Sequence, residues 1–167
     1  MKKLFLLLMI ISAAICAQEK NKLVTDEKSG KPMLIGLCDR TAFADSNFSW
    51  WFNSEYDNYP SDSVAVVRFS KKLQDVKITI VMGTWCSDSR REVPRFYRIL
   101  DQTGFNTQNI TLICVDRNKT APDGLVEKLD IKLVPTFIFC RDDKEIGRIV
   151  ETPKETLETD LVKIIVQ

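Results

Sequence analysis

Gly83-Thr84-Trp85-Cys86-Ser87-Asp88-Ser89-Arg90-Arg91-Glu92-Val93-Pro94 is the stretch whose reading decides the fold. It joins two patterns of different period. Before it, residues 76–82 read Val-Lys-Ile-Thr-Ile-Val-Met. That run is β-branched and mostly apolar, which predicts a strand buried in the middle of a sheet. After it, residues 87–102 place Val93, Phe96, Tyr97 and Leu100 at i, i+3, i+4 and i+7, the spacing of one helix face, and Gly104 follows as a stop. Residues 110–115 form a second apolar strand, so the segment reads as a β-α-β unit with parallel strands.

Working outward, Pro122-Asp123-Gly124 opens a short helix expected to reach residue 130. Residues 135–140 and 145–151 read as an antiparallel hairpin around a polar four-residue link at 141–144. A last helix is expected over 154–166, with Leu157 and Leu161 facing inward. Upstream, the aromatic run Phe48 to Tyr59, closed by Pro60, has helical spacing, and a second helix is expected over 63–73. The predicted class is α/β: a mixed central sheet flanked by helices on both faces, with an N-terminal helical extension.

The start of the chain reads as a secretory signal. Lys2 and Lys3 precede an apolar run from Leu4 to Ile15 that is too short to span a bilayer, which needs about 20 residues. Cleavage after Ala17 leaves Gln18 as the mature start and no membrane span. Cys16 invites lipid attachment, but bulky Ile15 precedes it, so simple export to the periplasm or beyond is preferred. The expected division is a signal peptide over 1–17, a flexible polar lead-in over 18–32, a helical extension packed on the domain over 33–75, and the main domain over 76–167.

Composition narrows the chemistry. The net charge is +1, with 24 Lys and Arg against 23 Asp and Glu, which gives no pull toward nucleic acid. There is no histidine, so Ser-His-Asp and Cys-His catalysis are excluded, as are His-containing zinc sites. No metal-ligand cluster and no Gly-rich phosphate loop is present, and no cofactor is expected.

What remains is Cys86, at the junction of a central strand and the first turn of a helix. Reactive groups collect at such carboxyl ends of strands. The unpaired first-turn N–H groups and the helix dipole favour a thiolate there, and the thiolate is the nucleophile in disulfide exchange. Trp85-Cys86 with Ser89 three residues on, Pro94 five beyond that, and a later Val134-Pro135-Thr136 together resemble the thioredoxin family over residues 76–167. The whole string, with Glu145-Ile146-Gly147-Arg148-Ile149-Val150-Glu151, resembles exported thioredoxin-like proteins of Bacteroidetes-type bacteria.

The resemblance implies that Cys86 is the exposed nucleophile and that Pro135 follows a cis peptide bond facing it. It implies that the Val134 backbone pairs with an extended substrate and that Trp85 shields one side of the thiol. It also marks departures. Ser89 replaces the resolving cysteine, where its hydroxyl would steady the thiolate. Ile80 stands in place of an acid, and Leu112 in place of a lysine. The implied partners are protein disulfides or thiols, with an external thiol reductant or redox protein to complete the cycle.

Two functions follow. The first is monothiol oxidoreductase or isomerase chemistry outside the cytoplasm. The alternative is a redox-silent module that binds extended or unfolded segments; fold alone does not decide between them. Cys114 and Cys140 read as core residues, and Cys38 as a candidate distant partner for Cys86.

Overall fold

A computed structural model of the chain describes residues 19–166; the expected signal peptide and Cys16 lie outside them. Six strands form one sheet: β1 Lys22–Thr25, β2 Pro32–Cys38, β3 Lys77–Met82, β4 Ile110–Cys114, β5 Thr136–Arg141 and β6 Lys144–Val150. Their spatial order is β1-β2-β4-β3-β5-β6. Only β3 and β4 run parallel, as the β-α-β reading requires; every other neighbouring pair is antiparallel. Among the described residues, four α-helices flank the sheet: α1 Ser46–Asn58, α2 Ser63–Leu73, α3 Ser87–Thr103 and α4 Leu157–Ile165. The mixed sheet with flanking helices is the expected α/β class.

Strand alternation divides the interior in two. Ile78, Ile80, Met82, Leu112, Cys114, Phe137 and Phe139 point to one face, where they meet inward residues of all four helices. Val81, Ile113 and Val115 point to the other, where Val126, Val134, Leu125, Leu129 and Ile131 cover them. A helix was expected over that second face. Instead there is a single 3₁₀ turn, Pro122–Gly124, because Asp123 and Gly124 take φ of +58° and +66° and Asp130 takes +50°. Left-handed residues stop helix propagation.

The N-terminal segment also departs from expectation. The supposed flexible lead-in contains β1, paired with β2 in the register Lys22 to Ile35 through Thr25 to Pro32. The supposed helical extension contributes β2, whose Gly36, Leu37 and Cys38 pair with Cys114, Ile113 and Leu112. Short, mostly exposed β1 carries no inward alternation to betray it; its strand state comes from pairing with a neighbour. The β5–β6 link is also tighter than predicted. Arg141 pairs with Lys144, leaving the two-residue turn Asp142-Asp143 at φ of +50° and +59°, the positive-φ pair of a hairpin turn.

Candidate active site

Among the described residues, three of the four α-helices begin on an oxygen. Asp45, Asp62 and Thr156 each accept a hydrogen bond from a first-turn N–H of α1, α2 and α4. Helix α3 begins on sulfur: its N-cap is Cys86, in extended conformation, and no side chain caps the turn. The first-turn donors that a carboxylate or hydroxyl oxygen satisfies in those helices have no side-chain acceptor in α3.

Cys86 is half-buried, and its Sγ donates to the Val134 carbonyl at 3.3 Å. The Val134–Pro135 peptide is cis. The Pro135 carbonyl accepts from the Glu151 N–H at 2.7 Å, and the Thr136 hydroxyl donates to the Leu133 carbonyl at 2.7 Å. Strand β6 and the loop itself thus hold this segment against the helix terminus. Cys86, Val134 and Pro135, far apart in sequence, meet here.

Trp85 lies beside the thiol. Its Nε1–H donates to the Val115 carbonyl at 2.9 Å, and the Arg117 guanidinium stacks on its ring at 5.0 Å from the centroid. Arg117 is itself held by two hydrogen bonds to Asp26, at 2.8 and 2.7 Å. The bonds from Arg117 and then Ser29 hold the Asp26 carboxyl well below the usual carboxylate range. Arg90 approaches from the helix, its Nε–H donating to the Thr84 carbonyl at 2.5 Å. Burial holds its guanidinium below the ordinary value; the Cys86 sulfur opposes that effect and Arg117 adds to it. Both arginines therefore lie in electrostatic range of the sulfur.

Ser89 is fully buried, and its Oγ accepts from the Gly83 N–H at 3.3 Å. It ties the end of β3 to the first turn of α3. Pro94 lies inside α3, buried on its inner face. Ile80 and Leu112 are buried apolar side chains behind the site, so no ionisable group occupies those two positions.

Cys38 is not a partner for Cys86. It belongs to the helix-covered core, whereas Cys86 packs against the cluster on the opposite face of the sheet. Cys114 is fully buried as expected, and Cys140 is half-buried on β5, where burial raises its thiol. Sequence reasoning missed the role of Gly83 and the Asp26–Arg117 pair. An added Cβ at Gly83 would lie 2.5 Å from the Trp85 ring, so glycine is what lets the indole fold back. The Gly83-Thr84-Trp85 spacing carried that signal; nothing in the spacing of Asp26 and Arg117, 91 residues apart, carried theirs. Among the described residues, no group of three or more His, Cys, Asp or Glu could hold a metal ion, and no helix is long and apolar enough to cross a membrane.

A β-α-β half and a β-β-α half, meeting where a cis-proline faces a cysteine at a helix N-terminus, give the molecule a thioredoxin-like α/β fold. Comparisons with known proteins agree at the level of sequence. The chain is similar to thioredoxin H-type 1 of Nicotiana tabacum, 27% identical over 97 residues, covering 57% of this chain and 72% of that protein. It is also similar to the TPR repeat-containing thioredoxin TDX of Arabidopsis thaliana, 27% identical over 103 residues; that match spans 62% of this chain and only 26% of the relative. Among solved structures, Fasciola hepatica thioredoxin covers 59% of this chain and is covered over 85% of its own length, at 19% identity and a TM-score of 0.39. No family model matches the chain.

Proposed function

We propose that this chain catalyses thiol–disulfide exchange with Cys86 as its single nucleophile, outside the cytoplasm once the N-terminal segment is removed. The observation that carries the proposal is the sulfur at the start of α3, where α1, α2 and α4 have oxygen, set 3.3 Å from the Val134 carbonyl before Pro135. The similarity to thioredoxins supports the class of reaction.

In the proposed cycle the Cys86 thiolate attacks one sulfur of a substrate disulfide. The S–S bond breaks, its electron pair leaves on the second substrate sulfur, and a mixed disulfide forms. With Ser89 in the place of a resolving cysteine, an external thiol releases Cys86 by a second exchange. A substrate thiol can do the same, which gives isomerisation. An extended substrate segment would lie along the Val134 backbone. Arg90 and Arg117 would offset negative charge at the sulfur.

The test is reduction of a model protein disulfide by glutathione in the presence of the protein. The wild type is expected to accelerate it, and Cys86→Ala to lose at least about 100-fold of that acceleration, the scale on which a lost catalytic group acts. Turnover unchanged in Cys86→Ala overturns the proposal.

A further inference from the structure

The chain's three tyrosines differ in what their hydroxyls meet. Tyr56 donates to Asp101 at 2.5 Å and Tyr59 to Glu158 at 2.8 Å. Tyr97, on the inner face of α3, is only 2% exposed. Its ring packs on Phe52 and under the Arg40 guanidinium, 5.1 Å from the centroid, yet its hydroxyl has no hydrogen-bond partner among the described residues. A buried tyrosine hydroxyl ordinarily finds one. Burial pushes the phenol above its ordinary value, so the oxygen keeps its proton and stands as a donor.

Tyr97 lines a cleft of about 480 Å³, within the range of roughly 300–1,000 Å³ usual for small-molecule sites. The cleft opens onto the helix-covered core: Cys38 and Leu112 belong to that core, and Ile110 packs against it. Lys20 and Arg40 bring two cations to the lining, against the single carboxylate of Asp39. Arg40 is paired with Asp101, outside the cleft. The Asp39 carboxylate is already engaged, accepting from the Thr41 N–H at 3.0 Å, the Thr41 hydroxyl and the Asn21 amide at 3.2 Å. The lining therefore sets a buried donor beside an apolar floor and supplies no free carboxylate to meet it. We infer that this cleft binds small monocarboxylic acids with an apolar body, at a site separate from Cys86. The body lies on Ile110 and Leu112, the carboxylate accepts from the Tyr97 hydroxyl, and Lys20 and Arg40 offset its charge. The fold keeps the two sites apart. Cys86 packs against the cluster on the other face of the sheet. It also follows the end of β3, whereas Ile110 begins the parallel strand β4, at the opposite end of the sheet.

The experiment titrates para-fluorobenzoate with the protein and follows its fluorine NMR linewidth, with para-fluorobenzyl alcohol as the uncharged match. The wild type is expected to broaden the carboxylate signal saturably. Tyr97→Phe, which removes only the hydroxyl, is expected to bind at least about tenfold more weakly, the lower bound for losing a hydrogen bond to a charged group. Thr107→Trp, at an exposed position of the lining, is expected to fill the cleft and abolish the broadening. Cys86→Ala is expected to bind as the wild type does, so the outcome here is independent of the Cys86 cycle. Because the Tyr97 hydroxyl has no protein partner, Tyr97→Phe is expected to melt no lower than the wild type, which separates lost binding from lost fold. Absence of saturable broadening by the wild type overturns the inference. So does undiminished binding in Tyr97→Phe or Thr107→Trp, loss of binding in Cys86→Ala, equal affinity for the alcohol, or a lowered melting temperature in Tyr97→Phe.

Discussion

At the scale of single residues, the site rests on contacts too close to allow substitution. Gly83 is buried, with Trp85 folded over it, and an added methyl would meet Cε2, Nε1 and Cζ2 of the indole at 2.5 to 2.9 Å. The ring cannot withdraw without losing its bond to the Val115 carbonyl and its stack against Arg117. Gly83→Ala is therefore expected to destabilise the fold by about 1–3 kcal/mol, the usual effect of overpacking. Urea unfolding measures that loss, and a changed tryptophan emission spectrum reports the displaced indole. The Trp85-Cys86 pair and Pro135 were visible in the sequence because their spacing is a pattern. Ser89 was visible too, but the structure sets its hydroxyl on the Gly83 N–H, a contact that depends on how the strand enters the helix.

At the scale of elements, the β1–β2 turn is clamped to the loop after β4. Asp26 begins that turn, its N–H and carbonyl bonding Lys31 and Gly30, and its carboxylate takes both Arg117 bonds. The same Arg117 braces Trp85, so the hairpin supports the site from a distance. Because the Asp26 carboxyl is held below its ordinary value of about 3.9, the folded state binds fewer protons than the unfolded state in acid. The clamp's contribution is fully present above about pH 4 and is lost as the pH falls through the lower folded value. Melting temperatures between about pH 5 and pH 2.5 are expected to fall more steeply for the wild type than for Asp26→Asn. Equal slopes would show that the clamp carries no stability. The hairpin itself was not legible: β1 is four residues long and mostly exposed, so neither period nor apolarity marks it.

At the scale of the whole molecule, the segment before β3 is part of the fold rather than an attachment. Helix α1 packs on α3 through Phe52 and Tyr97, whose ring centroids are 6.0 Å apart. Arg40 lies over the rings of Phe52, Tyr56 and Tyr97 and pairs with Asp101 at 2.7 Å. Tyr59 and the Asp62 N–H both donate to buried Glu158 on α4. Phe43, Phe48, Trp51, Phe52, Val66, Phe69 and Leu73 are all buried. At about 1.5–3 kcal/mol for each such side chain, their contribution matches or exceeds the net stability of about 5–15 kcal/mol typical of a domain. A chain begun at Val76 is expected to show no cooperative thermal transition in circular dichroism and to bind a hydrophobic dye. A sharp transition in that fragment would mark a true domain boundary there.

The sequence by itself determined what is local: the period-3.6 faces of α2 and α3, the apolar runs of β3 and β4, the Gly104 stop, and a thiol at a strand-to-helix junction. These depend on residues within a few positions of each other, so spacing reveals them. Only the tertiary structure decided what depends on pairing across long stretches of chain. It made a polar lead-in into a strand, and it covered the second face of the sheet with turns because Asp123, Gly124 and Asp130 adopt left-handed backbone. It placed Arg117 against Trp85, and it set Cys38 in the helix-covered core, on the opposite face of the sheet from Cys86. That last placement follows from strand register: a shift of one residue would turn Cys38 to the other face, and no property of the isolated segment fixes the register.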